Sequence, residues 1–155
     1  MKAHVMAGHL IRRLNQISTH VFSRQLQEAG FDVTPVQYAL LSVLYPGQAL
    51  DQVSVAAEIG IDRNNAADVI RRLERRGFVE RIPSTEDRRA KMTRITDSGR
   101  RFVEEAHDAM ERAQSRFTAS LSKRDRDRLM DLLQKLMIEN NDAGRAPLRT
   151  PEDRA

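Results

Sequence analysis

The sequence predicts a mainly α-helical fold that carries one small β-hairpin. Apolar residues recur at helical spacing along most of the 155 residues, and two short strand-like runs flank a single polar loop. The 31% of charged and 5% of aromatic residues are typical of a well-solvated helical protein. With 40% hydrophobic residues the chain can bury one core, and two independent cores are not expected.

The first predicted helix runs from about Val5 to Ala29 and is closed by Gly30, a residue type that suits a helix C-terminus. An apolar stripe follows one side of it. Beside that stripe lies a second line of residues at spacings of four, three and four. The stripe contains Met6, Leu10, Leu14, Ile17, Val21 and Leu26, and the line contains His9, Arg13, Gln16 and His20.

Three interpretations of that line stay open. Polar residues that border an apolar stripe commonly lie along a helix interface with their polar ends in water. Alternatively, an arginine and two histidines on an otherwise apolar seam provide donors for a carboxylate ligand. A metal site is the weakest interpretation, because His9 and His20 lie three turns apart without a cysteine or acidic partner.

The segment from Thr34 predicts the start of a second helix. Thr34 is the expected N-cap, Pro35 suits the first helical position, and Gln37 completes a capping box. The residues that follow are apolar nearly all round, which predicts a buried helix. Tyr38 shares a face with Ser42, and it is either a core residue with a hydrogen-bonded hydroxyl or a wall that contacts a ligand.

Two short helical patterns then meet at Gly60, and their apolar positions can share one buried seam. The small Ala56 permits close approach of the two helices, and Gly60 can adopt the positive φ of a tight turn. This arrangement is typical of a helix-turn-helix. The seam consists of Val55, Ala56, Ile59, Ile61, Ala66, Val69, Ile70 and Leu73.

A hairpin with a basic loop follows, since residues 78–82 and 91–95 are strand-like and residues 83–90 are polar. Residues 63–94 contain ten Lys or Arg against five acids, a net charge of +5, whereas the whole chain carries +4 and the remainder therefore about −1. A phosphate-facing surface requires such a local concentration of positive charge. The sequence therefore predicts a DNA-binding winged helix-turn-helix.

The second helix of the pair is predicted to enter the major groove of DNA. Asp62 is its expected N-cap, so Arg63, Asn64 and Asn65 occupy the first turn. Arginine can bind guanine, and asparagine can bind adenine, through two hydrogen bonds. These three residues are the predicted base contacts. The alternative is that they only form the exposed start of a helix.

Further along the same helix, Arg71, Arg72 and Arg75 are predicted DNA contacts, chiefly with phosphates. At helical spacing the arginines of this stretch cannot all face one duplex. Some of them are expected to pair with Glu74 or Asp68 on a solvated face.

The hairpin of residues 78–95 is the predicted wing, and it contributes a second group of predicted DNA contacts. Arg88 and Arg89 lie at the loop tip, where one of them could enter a narrow minor groove while Asp87 positions it. Lys91 and Thr93 are predicted to contact the DNA backbone. The alternative for both is ordinary strand-surface chemistry.

Two long helices complete the periodic part of the chain, with Thr96 and Ser122 as their expected N-caps. They have no strands to cover, so their apolar faces must pack against the first helix or a second copy of the chain. From about Asn141 the sequence is aperiodic and rich in turn residues, which predicts a flexible tail over 141–155.

Composition and missing motifs argue against other classes of protein. Without cysteine, neither a disulfide nor a Cys-ligated zinc can form, which fits a cytoplasmic protein. No apolar run approaches a membrane span, and the first thirteen residues are interrupted before a signal-peptide core could form. With no phosphate loop, nucleophile motif or metal-spaced histidine pair, we expect no enzyme activity, no cofactor and no metal.

Over roughly residues 5–140 the chain resembles the multiple-antibiotic-resistance regulator (MarR) family of bacterial winged-helix repressors. The resemblance implies a homodimer whose N- and C-terminal helices, here 5–33 and 97–140, intertwine, with residues 34–96 as the DNA-binding lobe. Ligands of such proteins bind between the dimer core and that lobe. The resemblance rests on Leu50-Asp-Gln with Ala56 and Gly60, Ile61-Asp-Arg63, Val69-Ile-Arg-Arg-Leu-Glu-Arg-Arg-Gly-Phe78, Asp87-Arg-Arg89 and Ile95-Thr-Asp-Ser-Gly99.

One departure concerns the predicted base contacts. Asn64-Asn-Ala66 stands where relatives more often carry a Ser-Thr-Val type of run. This departure affects which operator sequence is expected, and it leaves the expectation of DNA binding unchanged.

Within the family, His9-Leu-Ile-Arg-Arg13 with Gln16-Ile17, and Thr34-Pro-Val-Gln-Tyr-Ala39, resemble members that govern the catabolism of aromatic acids. This implies a repressor that releases a palindromic operator when it binds an aromatic carboxylate or an aryl-CoA thioester. The ligand residues so implied are Arg13, with Arg12 as the alternative, then His9, Gln16 and His20 as polar partners and Tyr38 as a stacking wall.

Two alternatives remain at the level of sequence. A winged-helix module could use its basic face to bind an acidic protein partner, and a regulator of this kind could respond to a non-aromatic effector. The sequence does not identify the effector, the operator or the target genes.

Overall fold

The computed structural model describes residues 6–84, 91–144 and 147–148. It has a mainly α-helical architecture with a small antiparallel sheet, so the predicted fold class is confirmed. Among the described residues, no helix combines the length and apolar character needed to cross a membrane. The elements are α1 (Ala7–Glu28), α2 (Pro35–Leu44), β1 (Leu50–Asp51), α3 (Gln52–Ile59), α4 (Arg63–Arg75), β2 (Val79–Pro83), β3 (Lys91–Ile95), α5 (Asp97–Phe117) and α6 (Lys123–Glu139).

Side-chain caps set the starts of these helices. At α2, the Gln37 N–H donates to Thr34 Oγ1 at 3.3 Å and the Thr34 N–H donates to Gln37 Oε1 at 3.0 Å, which confirms the predicted capping box. Thr96 and Ser122 cap α5 and α6 as predicted. Each such cap satisfies a backbone N–H group that has no partner within the helix, and stabilises the fold by about 1 kcal/mol.

The sheet has the strand order β1-β3-β2, with both pairings antiparallel. Strands β2 and β3 pair from Val79 with Ile95 to Pro83 with Lys91, as the predicted hairpin requires. The sequence prediction missed β1, in which Leu50 pairs with Thr93. Because a two-residue strand has no periodicity, only the tertiary pairing reveals it. Strand β1 joins the segment before α3 to the wing.

Helix α2 lies at the centre of the core. Its residues Leu40, Leu41 and Leu44 have no exposed surface, which confirms the predicted burial of this helix. Helix α2 contacts α1, α3, α4 and α5. Burying each leucine contributes about 1.5–3 kcal/mol. Residues 34–96 and the helices outside this segment therefore share one hydrophobic core.

A second link joins the turn after α2 to α5. The Tyr45 hydroxyl donates to Glu104 Oε1 at 2.9 Å, and the Arg100 guanidinium donates to the Tyr45 carbonyl oxygen at 2.6 Å. Arg100 also lies over the Tyr45 ring, 5.6 Å from its centroid. The Glu104 carboxylate raises the pKa of the Tyr45 phenol, chiefly because it accepts the hydrogen bond that the protonated phenol donates.

Helices α1 and α6 each present an unpartnered apolar face in the single chain. No residue of α6 is buried. Contiguous exposed apolar faces of this kind commonly mark protein–protein interfaces. Their large apolar side chains are 40–69% exposed: Leu10, Ile11, Leu14 and Ile17 on α1 with Met6 just before it, and Met130, Leu132, Leu133, Leu136, Met137 and Ile138 on α6.

The segment after α6 begins with local order. Residues Asn141–Ala143 form a 3-10 turn, where the sequence suggested only a flexible tail. The Asn141 side-chain amide donates to the Leu148 carbonyl oxygen at 2.9 Å, and its oxygen accepts the Leu148 N–H at 2.8 Å. Local side-chain to backbone bonds of this kind leave no periodic signal in a sequence.

Replacing Gly99 by alanine is expected to destabilise the fold by about 1–3 kcal/mol, the usual cost of overpacking. The new Cβ would clash with the Phe78 carbonyl oxygen and would lie 2.8 Å from Ile95 Cγ1. Chemical denaturation would show a lower midpoint. Gly8→Ala is the control, since a Cβ at Gly8 meets no atom within 4 Å. Equal midpoints for the two variants would contradict this account.

Replacing Glu104 by alanine is expected to lower the pKa of the Tyr45 phenol toward its ordinary value, because the acceptor and its negative charge are both lost. The chain has two tyrosines and no tryptophan, so the ultraviolet absorbance of phenolate follows both ionisations. Tyr38→Phe assigns the two steps. Glu105→Ala removes a neighbouring exposed carboxylate and should leave both tyrosine pKa values unchanged. If the Tyr45 pKa also stayed unchanged in Glu104→Ala, the hydrogen bond to Glu104 would not be the cause of the raised pKa.

Candidate nucleic-acid interface

The turn between α3 and α4 positions the start of the predicted recognition helix. Gly60 ends α3 with a φ of 68°, the left-handed conformation that a glycine adopts without strain. Asp62 then caps α4, because its Oδ1 accepts the N–H groups of Asn64 and Asn65, both at 3.0 Å. Both features confirm the predictions made for these residues, and together they orient the first turn of α4.

The three predicted base contacts are exposed on that first turn, but they differ in whether their side chains already form a hydrogen bond. The Asn65 side-chain amide donates to Asp62 Oδ2, so the cap also holds this side chain. Gln52 Nε2 donates to the Arg63 carbonyl oxygen at 3.0 Å, which fixes the backbone beneath the arginine. Arg63 and Asn64 therefore have the more available side chains, while Asn65 would have to leave Asp62 to bind a base with both amide atoms.

Three cations from three elements converge beside the recognition helix. Arg63 of α4, Arg81 of β2 and Lys91 of β3 border one open groove with a volume of about 350 Å³. Arg81 was absent from the predicted site, because a strand pattern does not show which face meets a neighbouring helix. The other residues that line the groove are Asp51, Gln52, Val53, Ile70 and Thr93.

The prediction for Thr93 was wrong. Its exposed fraction is only 3%, since β3 is the central strand and carries Thr93 on the face that packs toward the core. Lys91 lies two residues earlier on the same face, at the end of the strand, and is exposed there. Lys91 is therefore still available to contact DNA, whereas Thr93 offers almost no surface although it borders the same groove.

Along the exposed side of α4, Arg71 pairs with Asp68 at 2.8 Å, as expected for a solvated helix face. Glu74 instead faces Arg81 of β2, 3.5 Å away. Exposed ion pairs of this kind contribute little stability, about 0–1 kcal/mol. A phosphate could therefore replace Asp68 as the partner of Arg71 at small cost.

The arginines at the end of α4 lie apart from Arg63. Arg72, Arg75 and Arg76 border a second cavity, of about 860 Å³, which we call the α1–α4 cleft. Arg76 is committed there, because it donates to the Asp32 carbonyl oxygen and lies over the Phe78 ring. The cleft is completed by Ser23, Gln27, Gly30, Phe31, Asp32, Val33, Thr34 and Gln37.

The wing tip lies outside the described residues, so the assignments of Arg88 and Arg89 stay predictions. The strands that carry the tip are joined by an ion pair between Arg94 and Glu80 at 2.7 Å. Arg94 is thereby directed at the neighbouring strand rather than at a ligand.

The predicted ligand residues are not enclosed within one chain. Arg12, Arg13, Gln16 and His20 are exposed and His9 is half-buried, whereas the sequence suggested a position against other protein. Helix α1 packs on α5 with another side, where the Phe22 and Phe117 rings lie 6.5 Å apart. In the single chain, these α1 residues consequently lack the enclosure that a ligand site requires.

Tyr38 lies half-buried on α2. Burial raises the pKa of its phenol and the negative charge of Glu111 raises it further, while the neighbouring Ser42 side chain lowers it. Among the described residues, no cluster of His, Asp or Glu side chains is arranged to hold a metal ion.

Similarity to known proteins extends over most of the chain. The MarR family model matches residues 33–91. A putative transcriptional regulatory protein for the hcr operon of Thauera aromatica is 29% identical over 140 residues, which cover 88% of this chain and 84% of that protein.

Solved structures share this fold over most of the chain. The PcaV transcriptional regulator from Streptomyces coelicolor is 30% identical, with a TM-score of 0.67 over 87% of this chain and 97% of that one. PcaV in complex with its natural ligand is 29% identical, with a TM-score of 0.77 over 88% and 94%. Bordetella bronchiseptica BpsR, whose DNA binding is regulated by 6-hydroxynicotinic acid, is 27% identical, with a TM-score of 0.77 over 85% and 93%. The helix-turn-helix, the three-stranded wing sheet and these similarities show that the chain belongs to the MarR family of winged-helix transcriptional regulators.

Proposed function

We propose that the chain is a cytoplasmic, homodimeric repressor that binds a palindromic DNA operator and is released by a small aromatic carboxylate or its CoA thioester. The observation that carries the DNA part is the convergence of Arg63, Arg81 and Lys91 on one groove beside α4. The recognition helix supplies the base-reading groups, and the wing supplies cations that attract phosphates. The concentration of positive charge in residues 63–94 supports the same assignment.

The exposed apolar faces of α1 and α6 support the homodimer. A symmetric pair would cover these faces with their copies on the second chain. Two recognition helices about 34–36 Å apart could then enter successive major grooves on one side of a duplex. The operator is accordingly expected to be palindromic.

The exposed line on α1 supports an effector site that is completed in the dimer. Arg13, or Arg12 in its place, would bind the carboxylate through its two-pronged guanidinium, with His9, Gln16 and His20 as polar partners. Tyr38 offers an aromatic wall. BpsR, which responds to 6-hydroxynicotinic acid, is the relative that makes an aromatic acid the favoured class. Such a ligand releases DNA if it binds more tightly to a dimer whose recognition helices no longer fit the duplex.

Arg63→Ala is expected to weaken binding to the selected operator about tenfold or more, because one two-bond base contact accounts for about 1–3 kcal/mol of discrimination. Fluorescence anisotropy with duplexes that the wild-type protein selects from a random pool measures this loss. Arg101→Ala removes the same charge from an exposed position on α5 and should bind normally. Retained sequence preference in Arg63→Ala would exclude Arg63 from base recognition.

Leu136→Glu, in the exposed α6 face, tests the proposed homodimer. The variant is expected to sediment as a monomer and to lose operator binding, whereas Arg63→Ala should sediment as a dimer like the wild type. Wild-type protein that stays monomeric at micromolar concentrations would contradict the homodimer.

Arg13→Gln is expected to reduce the rise in melting temperature that an aromatic acid produces, since the carboxylate loses its charged partner. The measurement is a thermal-shift screen with benzoates, cinnamates, nicotinates and their CoA esters. Arg12→Gln distinguishes the alternative arginine, and Arg101→Gln controls for loss of charge. If no compound raises the melting temperature of the wild type, the aromatic effector is refuted.

A further inference from the structure

Two attachments hold the first turn of α4 to α3. The turn at Gly60 joins the end of α3 to the start of α4, and the Ile61 N–H closes it by donating to the Ala56 carbonyl oxygen at 3.0 Å. The Gln52 side chain provides the second attachment, because its Nε2 donates to the Arg63 carbonyl oxygen at 3.0 Å. This bond joins the first residue of α3 to the first residue of α4. The backbone of Arg63 is therefore held from both ends of α3.

The bond from Gln52 acts on the main chain of Arg63 and leaves its side chain exposed. A backbone carbonyl oxygen has two lone pairs, so it can accept the glutamine and still accept an N–H group within α4. Gln52 is half-buried, whereas Arg63 is exposed, and both border the groove beside the recognition helix. The glutamine can therefore fix where the arginine starts without occupying the guanidinium group.

The position of Gln52 is itself set by the wing sheet. Gln52 directly follows β1, in which Asp51 pairs with Met92 of β3. The Asp51 carboxylate also caps α3, because its Oδ1 accepts the Val53 N–H at 2.8 Å and the Ser54 N–H at 2.9 Å. A continuous series of hydrogen bonds thus runs from the central strand of the wing, through β1 and Gln52, to the first turn of the recognition helix.

We propose that Gln52 is a positioning residue for sequence recognition, which fixes the Arg63 backbone relative to the wing and so directs the Arg63 side chain at its base. This inference rests on the proposed function, because it takes Arg63 as a base contact. A two-bond contact between arginine and guanine requires the distance and the plane of the guanidinium to fit together. Loss of the Gln52 bond would loosen that fit, while the cations that attract phosphates stay in place. Gln52 thus determines how well the protein distinguishes sequences, rather than how strongly it binds DNA in general.

The test compares Gln52→Met with the wild type. Methionine has nearly the same length, but its thioether cannot donate a hydrogen bond. Fluorescence anisotropy gives the preference, which is the Kd for a scrambled duplex divided by the Kd for the duplex that the wild type selects from a random pool. We expect the preference to fall about threefold to tenfold, as the loss of one hydrogen bond allows. The Kd for the scrambled duplex and its salt dependence should stay unchanged, because the phosphate contacts are retained.

Gln48→Met is the matched control. The Gln48 Nε2 donates to the Val43 carbonyl oxygen, 3.4 Å away, so the same substitution removes a bond of the same type outside the helix-turn-helix. This variant should keep the wild-type preference. A preference that fell equally in both variants would show that the loss is not specific to the bond under Arg63, and would overturn the proposal.

Two further substitutions keep the test decisive if Gln52→Met folds poorly. Gln52→Glu keeps the shape of the side chain but replaces the donor by an acceptor, so the preference should fall. Gln52→Lys retains a donor, so the preference should stay close to that of the wild type. Their opposite charges change the Kd for both duplexes in opposite directions, and the ratio of the two Kd values removes this general effect.

A double variant shows whether Gln52 acts through Arg63. In the Arg63→Ala background, adding Gln52→Met should lower the preference little further, because the side chain that Gln52 positions is already absent. Equal fold losses in the two backgrounds would overturn the proposal and would indicate that Gln52 contacts a base itself.

The remaining outcomes separate this inference from the proposed function. An unchanged preference in Gln52→Met, with a wild type that does select a duplex, would exclude the positioning role and leave the proposed function intact. A Kd raised equally for both duplexes would make Gln52 a contact to the DNA backbone instead. A wild type without any sequence preference would refute the proposed function and this inference with it.

Discussion

Burial of the α2 leucines is the constraint on which the rest of the structure depends. Leu40, Leu41 and Leu44 are fully enclosed, and α2 contacts α3 and α4 of the helix-turn-helix as well as α1 and α5. A displacement of α2 would disturb every one of these contacts, because protein interiors are close-packed. The recognition helix is thus mechanically connected to the helices that carry the exposed apolar faces.

The arginines of the basic segment divide according to their partners. Arg94 and Arg76 are engaged with Glu80 and with the Asp32 backbone, so they support the structure. Arg71 has a weak exposed partner, and Arg63 projects from the capped first turn of α4. The number of arginines in the basic segment therefore overstates how many of them are free to bind a ligand. The local geometry decides which cations remain for DNA or for small anions.

Much of the fold could be predicted from the sequence, because caps, glycine turns and helical periodicity are local signals. Thr34, Asp62 and Thr96 mark helix starts by bonds to residues two or three positions away. Pairings between distant residues left no such signal. Tyr45 and Glu104 are separated by 59 positions, and only the folded chain brings them together.

The candidate site likewise has a part that local sequence signals predict and a part that depends on contacts between distant residues. The first turn of α4 was predictable from its cap, whereas Arg81 and the α1–α4 cleft depend on how elements pack. The prediction for Thr93 failed because alternation along a short strand does not reveal where the core ends. Of the α1 residues that resemble an effector site, all but the half-buried His9 are exposed in the single chain, so the proposed site would need a second copy of the chain to enclose it.

The bond between Arg76 and the Asp32 carbonyl oxygen has a consequence for how this family member could diversify. The tether uses the main chain of residue 32, so it does not depend on the side chain at this position. A substitution at Asp32 would therefore leave the tether in place. Residue 32 can therefore vary in sequence while the contact between the end of α4 and the segment before α2 is kept.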